Sequence, residues 1–530
     1  MSRRSISGPI WRLAALGLAA SALASATGSV SPVSGAPPRP PNVVFILADD
    51  LGYGDVGANN PQSRIATPHI DRIAREGMRF TDAHSPAAVC TPSRYGILTG
   101  RYAWRTWLKQ GVIGGYTPPL IEPDRVTVAS FLKQNGYTTA MIGKWHLGLG
   151  WVRANGFVGT AANAEAHRAG SSQDGDAAKG MNVDFDQPVR GGPRDLGFDY
   201  AFFTAACPTM DGPFTFIRND RPTARPDRKI FVDPNAEEEY GRPRAGWIAP
   251  GFSLETVDLE FVKETISFME RSVAEEPNRP FFVHLSLSSP HTPWLPPTFA
   301  RGASGDGPRG DLVTVADWAV GEVRAALDRL GVSGDTLLIF TSDNGPHPGT
   351  NGHASAGAFR GYKSHAWEGG HRVPLLVRWP SHIPESAVSG EPVELTDLMG
   401  TLAAILGKDL PKDAGLDSYD ISPALFGRKL ERPIREAIVS HSVNGAFAIR
   451  QGPWKLISGT DGSGGWVPPA DRASSPERPG QLYNLETDPG ESKNLYADRP
   501  EVVARLRDLL ASYRANGRSR PYVASPTPAR

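Results

Sequence analysis

Four polar blocks in this chain each follow a short apolar run, and each carries groups able to do chemistry. Asn42–Ala48 (NVVFILA) runs into Asp49 and Asp50, and Tyr137–Ile142 leads to Lys144, Trp145 and His146. Phe281–Leu287 leads to His291, and Thr336–Thr341 to Asp343 and Asn344. Asp49, Asp50, Asp343 and Asn344 offer oxygen ligands only. Hard cations, Ca²⁺ or Mg²⁺, prefer such a set, whereas zinc favours His or Cys. Two adjacent carboxylates repel unless protonated or neutralised, and a divalent ion neutralises them. Ca²⁺ takes roughly 6–8 oxygens, so four side chains leave room for a nucleophile and a substrate oxygen. A two-metal phosphatase-type site needs more ligands, which His146 and His291 could supply, so that alternative stays open here. Each block alone reads equally well as a loop start, because Asp and Asn bond the local backbone. Their coincidence is the signal.

Cys90 precedes Thr91-Pro92-Ser93-Arg94 and Leu98-Thr99-Gly100-Arg101. Pro92 suits an early helical position and Gly100 a C-terminal cap, which puts Cys90 at a helix N-terminus, where the dipole favours negative charge. The alternatives are a buried free thiol or a disulfide with Cys207, the other of the chain's two cysteines. Two cysteines exclude a disulfide framework and a Cys-rich metal site. The chain contains no G-x-S-x-G elbow and no H-E-x-x-H, and Gly143-Lys144 lacks the rest of a P-loop.

The elements that must position these groups alternate between strand-like apolar runs and helical patterns, as in a mostly parallel α/β sheet. In such sheets ligands bind beyond the carboxyl ends of the strands, so the four blocks are expected at one edge. Helices are expected over 67–77 (Thr67 as cap, Pro68 in the first turn, Gly77 closing), 126–135 before Gly136, 254–273 and 311–330. A further strand is expected over 373–379. Residues 151–195 and 218–250, rich in Gly, Pro and charge, read as surface insertions, and 458–480 as a loop. His69, His84, His284 and His371 read as packing or surface residues. His347, His353 and His365, which follow the Asp343 block, are candidates to line a pocket.

The chain has 530 residues, 40% hydrophobic and 21% charged, with 105 Gly and Pro together, which is an ordinary folded composition. Lys plus Arg equals Asp plus Glu at 56 each. Residues 1–40 hold four Arg and no acid, leaving 52 basic against 56 acidic residues beyond them. That balance argues against a nucleic-acid partner. Arg3 and Arg4 precede an apolar stretch, Leu13 to Ala24, followed by small residues, which is the form of an export signal over 1–26. The stretch is shorter than a bilayer span, and no later run is longer. The expectation is an exported chain, periplasmic or secreted by either a twin-arginine or a general route, with a flexible leader at 27–41 and no membrane span.

The assembled blocks resemble the formylglycine-dependent (type I) sulfatases of the alkaline-phosphatase-like superfamily. Cys90-Thr91-Pro92-Ser93-Arg94 with Leu98-Thr99-Gly100-Arg101 matches the family's C-x-P-S-R-x-x-x-L-T-G-R motif. Gly136–Thr139 through Gly143–His146 matches a second block. Further matches are Asp49–Asp55, Ser342–Gly345, Lys363 with Trp367–Gly370, and Leu482–Leu485 with Asp488-Pro489. The resemblance implies a mixed, mostly parallel sheet sandwiched by helices (42–430) and a smaller C-terminal α+β domain with a small antiparallel sheet (431–530). It implies that a maturation enzyme converts Cys90 to formylglycine, whose hydrated aldehyde is the nucleophile, which displaces the disulfide alternative and leaves Cys207 as a free thiol expected near the site. It also implies one cation held by Asp49, Asp50, Asp343, Asn344 and the position-90 group. Arg94 and Lys144 would hold that region, and Lys363 and His291 would contact sulfate. His291 would protonate the leaving oxygen, with help from Lys363, and His146 would take the proton whose loss releases sulfate. Downstream of Gly197-Phe198-Asp199 the family often has Ser or a similar polar residue. This chain has Ala206-Cys207-Pro208, where the alignment assigns nothing.

The expected substrate is a sulfate ester, and the blocks Trp104–Trp107 and Pro118–Arg125 look most like bacterial galactosamine-6-sulfatase-like enzymes. A phosphonate monoester or phosphodiester hydrolase on the same scaffold is the alternative. A silent carbohydrate-binding relative is a third reading, which the intact Cys90 motif disfavours.

Overall fold

The computed structural model describes residues 39–156, 158–162, 182–230, 243–458, 465 and 479–521. The expected export signal and nearly all of the leader fall outside these, as do parts of the expected insertions and most of the 458–480 loop.

Asn42–Ala48 is a central strand because both of its faces find a core. Val43, Phe45 and Leu47 enter one hydrophobic cluster, and Val44, Ile46 and Ala48 the other, the period of two that a pleated strand imposes. The strand pairs in parallel with Phe281–Ser286 on one side and Thr336–Ser342 on the other. Thr138–Lys144 follows in parallel on Phe281–Ser286, and Tyr200–Thr204 in parallel on that. These five adjacent strands end in register: Ala48 is level with Ser342, Leu47 with Ser286, Ser286 with Gly143, and Lys144 with Thr204. Whatever follows each of them is therefore delivered to one edge. Leu375–Arg378 and Met78–Phe80 extend the sheet beyond Thr336–Ser342, the former antiparallel, within a ten-stranded sheet among the described residues.

Pro68–Arg75, Val257–Glu275 and Gly307–Arg329 cover one face through Ile70, Ile73, Phe261, Val313, Ala316 and Val320. Cys90–Thr99, Val128–Gln134 and Leu398–Ile405 cover the other through Ile97, Leu98, Leu132 and Leu402. The sequence placed all of these helices except Leu398–Ile405, with shifted ends. Thr127 caps Val128–Gln134 by accepting the Ser130 N–H at 3.0 Å, and Gly136 has φ 90° just past its end. Thr67, by contrast, does not cap its helix. Asp317 does so from the neighbouring helix, accepting the His69 and Ile70 N–H groups at 2.9 and 2.8 Å. Gly77 is not left-handed either. A Cβ there would lie 2.2 Å from the Val377 carbonyl, so its smallness serves a close strand approach.

Ile438–His441, Phe447–Gln451, Trp454–Ser458 and Gly480–Asn484 form a four-stranded antiparallel sheet. Val439, Ile449, Leu456 and Leu482 on one face pack against Val503 and Leu506 of helix Pro500–Ala515. Ala448, Ile457 and Tyr483 pack on Ala366 and Trp367. The described residues from Pro41 onward form one compact unit. Among the described residues no helix is long and apolar enough to cross a membrane.

Candidate active site

Asp49, Lys144, His291, Asp343 and Asn344 all meet at the carboxyl edge of the five strands, and helix Cys90–Thr99 brings Cys90 as its first residue with Arg94 one turn on. Arg94 ties three strand ends together. Its Nε donates to Asp343 Oδ2 at 2.9 Å, and its Nη1 donates to the Lys144 carbonyl at 3.0 Å and to Ser286 Oγ. Lys144 Nζ donates to Asp49 Oδ2, and Lys363 Nζ to Asp50 Oδ2 at 2.8 Å. Asp50 and His146 have φ of 65° and 57°, and Ser364, beside Lys363, has 79°. Left-handed backbone costs a non-glycine residue about 1 kcal/mol or more. At Asp50 the surroundings fix it: its N–H donates to Asp343 Oδ1 at 3.2 Å, and the Leu51 N–H donates to Ser342 Oγ at 2.9 Å.

Three buried carboxylates face three buried cations, Arg94, Lys144 and Lys363. Burial pushes Asp49 up to about 7 against the pull of Lys144. Burial and the neighbouring Asp49 push Asp343 well above the usual carboxylate range. Asp50 goes the other way, because Lys363 and His291 outweigh its burial. Asp49 Oδ1 and Asn344 Oδ1 are buried without a hydrogen-bond partner, which for a native polar atom calls for an explanation. Asn344 spends its Nδ2 on Asp50 Oδ1 at 2.7 Å, so its oxygen is the end left over. Asp49, Asp50, Cys90 and His291 present ligand atoms within 4.8 Å of one another. Asp343 is not in that foursome; its oxygens accept from Arg94 and the Asp50 N–H, and a carboxylate retains further lone pairs. An oxygen-rich donor set with two unsatisfied oxygens fits a hard divalent cation.

The two histidines have defined tautomers. His146 Nε2 donates to the Ile113 carbonyl at 2.7 Å, which leaves Nδ1 as the inward acceptor. Burial and Lys144 push this imidazole down to about 4, so it is neutral near pH 7. His291 Nδ1 donates to the Thr292 carbonyl, which turns Nε2 inward, 3.7 Å from Asp50 Oδ2.

The sulfatase family model matches residues 41–408, well over half of the chain. The chain belongs to the sulfatase family. This sulfatase is 34% identical over 514 residues to an N-acetylgalactosamine-6-O-sulfatase of Bacteroides thetaiotaomicron, covering 89% of this chain and 93% of that protein. It is 34% identical over 493 residues to human arylsulfatase A, covering 89% and 87%. A solved structure from Bacteroides thetaiotaomicron, described under the metabolism of multiple glycosaminoglycans, superposes with TM-score 0.74 at 31% identity, covering 90% of this chain and all of that one. The sheet, its helical layers and the small C-terminal antiparallel sheet are the sulfatase architecture.

Cys207, expected as a free thiol near the site but given no role, lies against both histidines of this sulfatase's site. Cys207 follows Tyr200–Thr204, the fifth parallel strand, and its Sγ lies 3.5 Å from His291 Nε2 and 3.8 Å from His146 Nδ1. The apolar run Tyr-Ala-Phe-Phe-Thr after Gly197 was the available signal. Cys90 and Cys207 are both free and buried. The adjacent Cys207 side chain pulls the Cys90 thiol well below its usual range, against burial and helped by Lys144 and Lys363. Of the three pocket candidates, His347 reaches the site, with Nε2 3.5 Å from Asp50 Oδ2. His353 instead bonds Asp55 Oδ1 at 2.8 Å, and His365 Nδ1 accepts the Tyr362 N–H.

Proposed function

We propose that this sulfatase releases inorganic sulfate from a sulfated sugar, using Ca²⁺ (or Mg²⁺) held by Asp49, Asp50, Asp343 and Asn344 and a formylglycine made from Cys90. The observation that carries the reading is the convergence of Cys90 with Asp49, Asp50 and His291 within 4.8 Å, beside two unsatisfied buried oxygens. When present, the cation and the modified side chain supply an oxygen nucleophile that loses its proton at neutral pH.

The remaining work falls to the chain's own groups. His146 holds its proton on Nε2 and offers Nδ1 to receive one. His291 offers Nε2 to the leaving oxygen, with Asp50 Oδ2 3.7 Å away. Lys363 and Arg94 provide fixed positive charge where negative charge shifts from sulfur to the leaving oxygen. Three carboxylates against three cations leave the edge near neutrality. A divalent ion makes it net positive, which suits an anionic ester and disfavours a neutral one.

A sulfated sugar is favoured because a relative that matches nearly end to end is an N-acetylgalactosamine-6-O-sulfatase. An exported location, periplasmic or secreted, rests on the Arg3-Arg4 and apolar N-terminus, and a formylglycine-generating maturation enzyme is the implied partner. A panel of sulfated mono- and disaccharides, run beside matched phosphate and phosphonate esters, tests the reading. Sulfate release with little phosphate release supports it, and the reverse preference replaces it with the phosphonate and phosphodiester alternative.

A further inference from the structure

The geometry points to Cys207 as a positioning residue that couples the acid histidine to the base histidine through one thiol. The inference rests on the sulfatase reading above for the roles of the two rings, but its geometry is independent of that reading. Each imidazole is anchored on its outer nitrogen by a backbone carbonyl, His146 by Ile113 and His291 by Thr292. Both inner nitrogens, His146 Nδ1 and His291 Nε2, therefore turn inward, and both meet the same sulfur at 3.8 and 3.5 Å.

A thiol has one weak donor and a weak acceptor. His146 Nδ1 is bare, because the ring proton sits on Nε2, so it takes the S–H. His291 Nε2, when it carries the proton destined for the leaving group, is a donor and takes the sulfur lone pair. One side chain thus satisfies a base that must be empty and an acid that must be loaded, and no proton changes hands in doing so. Loss of the thiol would remove a contact that the two inner nitrogens share. Cys207 is only 2% exposed and sits just past strand Tyr200–Thr204, so its sulfur is held by the sheet itself and not by a loose loop.

The test uses Cys207→Ala and Cys207→Ser in two backgrounds. In the Cys90→Ala chain, which cannot acquire formylglycine, histidine-selective ¹⁵N spectra should show a downfield shift of His146 Nδ1 when Cys207 becomes Ala. Cys207→Ser, which keeps a donor and an acceptor, should hold that signal near its starting position. In the matured enzyme, Cys207→Ala should lower kcat about tenfold with KM within about twofold, and Cys207→Ser should recover most of the loss. An unmoved His146 Nδ1 signal in the alanine variant overturns the inference. So does a serine variant as slow as the alanine one. The spectra stand whatever ester the enzyme cleaves, so failure of the sulfatase reading would show in the substrate panel and not here.

Discussion

Asn344 donates its Nδ2 hydrogen to Asp50 Oδ1 at 2.7 Å, and this bond fixes which end of the amide is left for a ligand. The oxygen that remains is buried and unsatisfied, as is Asp49 Oδ1. Replacing Asn344 by Ala removes both the oxygen and the bond that orients Asp50. We expect Ca²⁺ affinity to fall by at least about 10–100-fold, read by calorimetric titration, with activity falling in parallel.

Chelation should abolish activity, and Ca²⁺ or Mg²⁺ should restore it, because the donors are carboxylate and amide oxygens. Assay after dialysis and re-addition checks this. Recovery with zinc alone would overturn the hard-cation assignment.

Gly143 precedes Lys144 with φ 114°, and a Cβ on it would lie 1.8 Å from the Ser286 carbonyl. Gly143→Ala must therefore push apart two central strands or distort the approach to Lys144. We expect a loss above roughly 3 kcal/mol or failure to accumulate folded protein, measured by denaturant unfolding.

Lys455 lies on the C-terminal sheet and is 1% exposed, yet its Nζ is 3.0 Å from Glu368 and 2.9 Å from Glu491. Glu368 opens the short helix Glu368–His371 just after Lys363. Lys455→Met removes the cation that both buried carboxylates share, leaving Glu368 to Arg372 at 3.0 Å and Glu491 without an ion pair among the described residues, for which about 3–5 kcal/mol of destabilisation is expected. The double change with Glu368→Gln should recover part of it.

Asp317 gives a pH signature remote from the catalytic edge. Burial raises its carboxyl to about 7, against the backbone bonds from Ile70 and His69. The folded protein then holds a proton that the unfolded chain loses near the ordinary aspartate value. Its contribution is therefore greatest below about pH 4 and is lost as pH rises towards 7. An asparagine side chain in its place would accept the same two N–H bonds without that cost. Asp317→Asn should gain roughly 1–3 kcal/mol on the parent protein between pH 4 and pH 7.5, seen as a widening difference in unfolding free energy.

The sheet was legible because strands buried on both faces read as unbroken apolar runs, and the polar groups after four of them named most of the site. Cys207 could be given no role because the run before it, Tyr200–Thr204, is short and lies beyond a segment with no clear pattern. The cap of helix Pro68–Arg75 escaped for a different reason. Asp317 is far away in sequence, and the nearer Thr67 spends its hydroxyl on Asp71 and on the Gly57 N–H. His353 was read towards the pocket because of its place in the chain, but Asp55 and the buried Arg309 hold it elsewhere. Local spacing specified elements and the polar groups that meet at the sheet edge. Long-range partners decided caps and histidine roles.

The most direct measurement is mass spectrometry of the tryptic fragment Phe80–Arg94 from active enzyme. The account expects position 90 to have lost sulfur and two hydrogens and gained one oxygen, with the fraction converted tracking specific activity. Fully active enzyme carrying an unaltered cysteine at that position would contradict it.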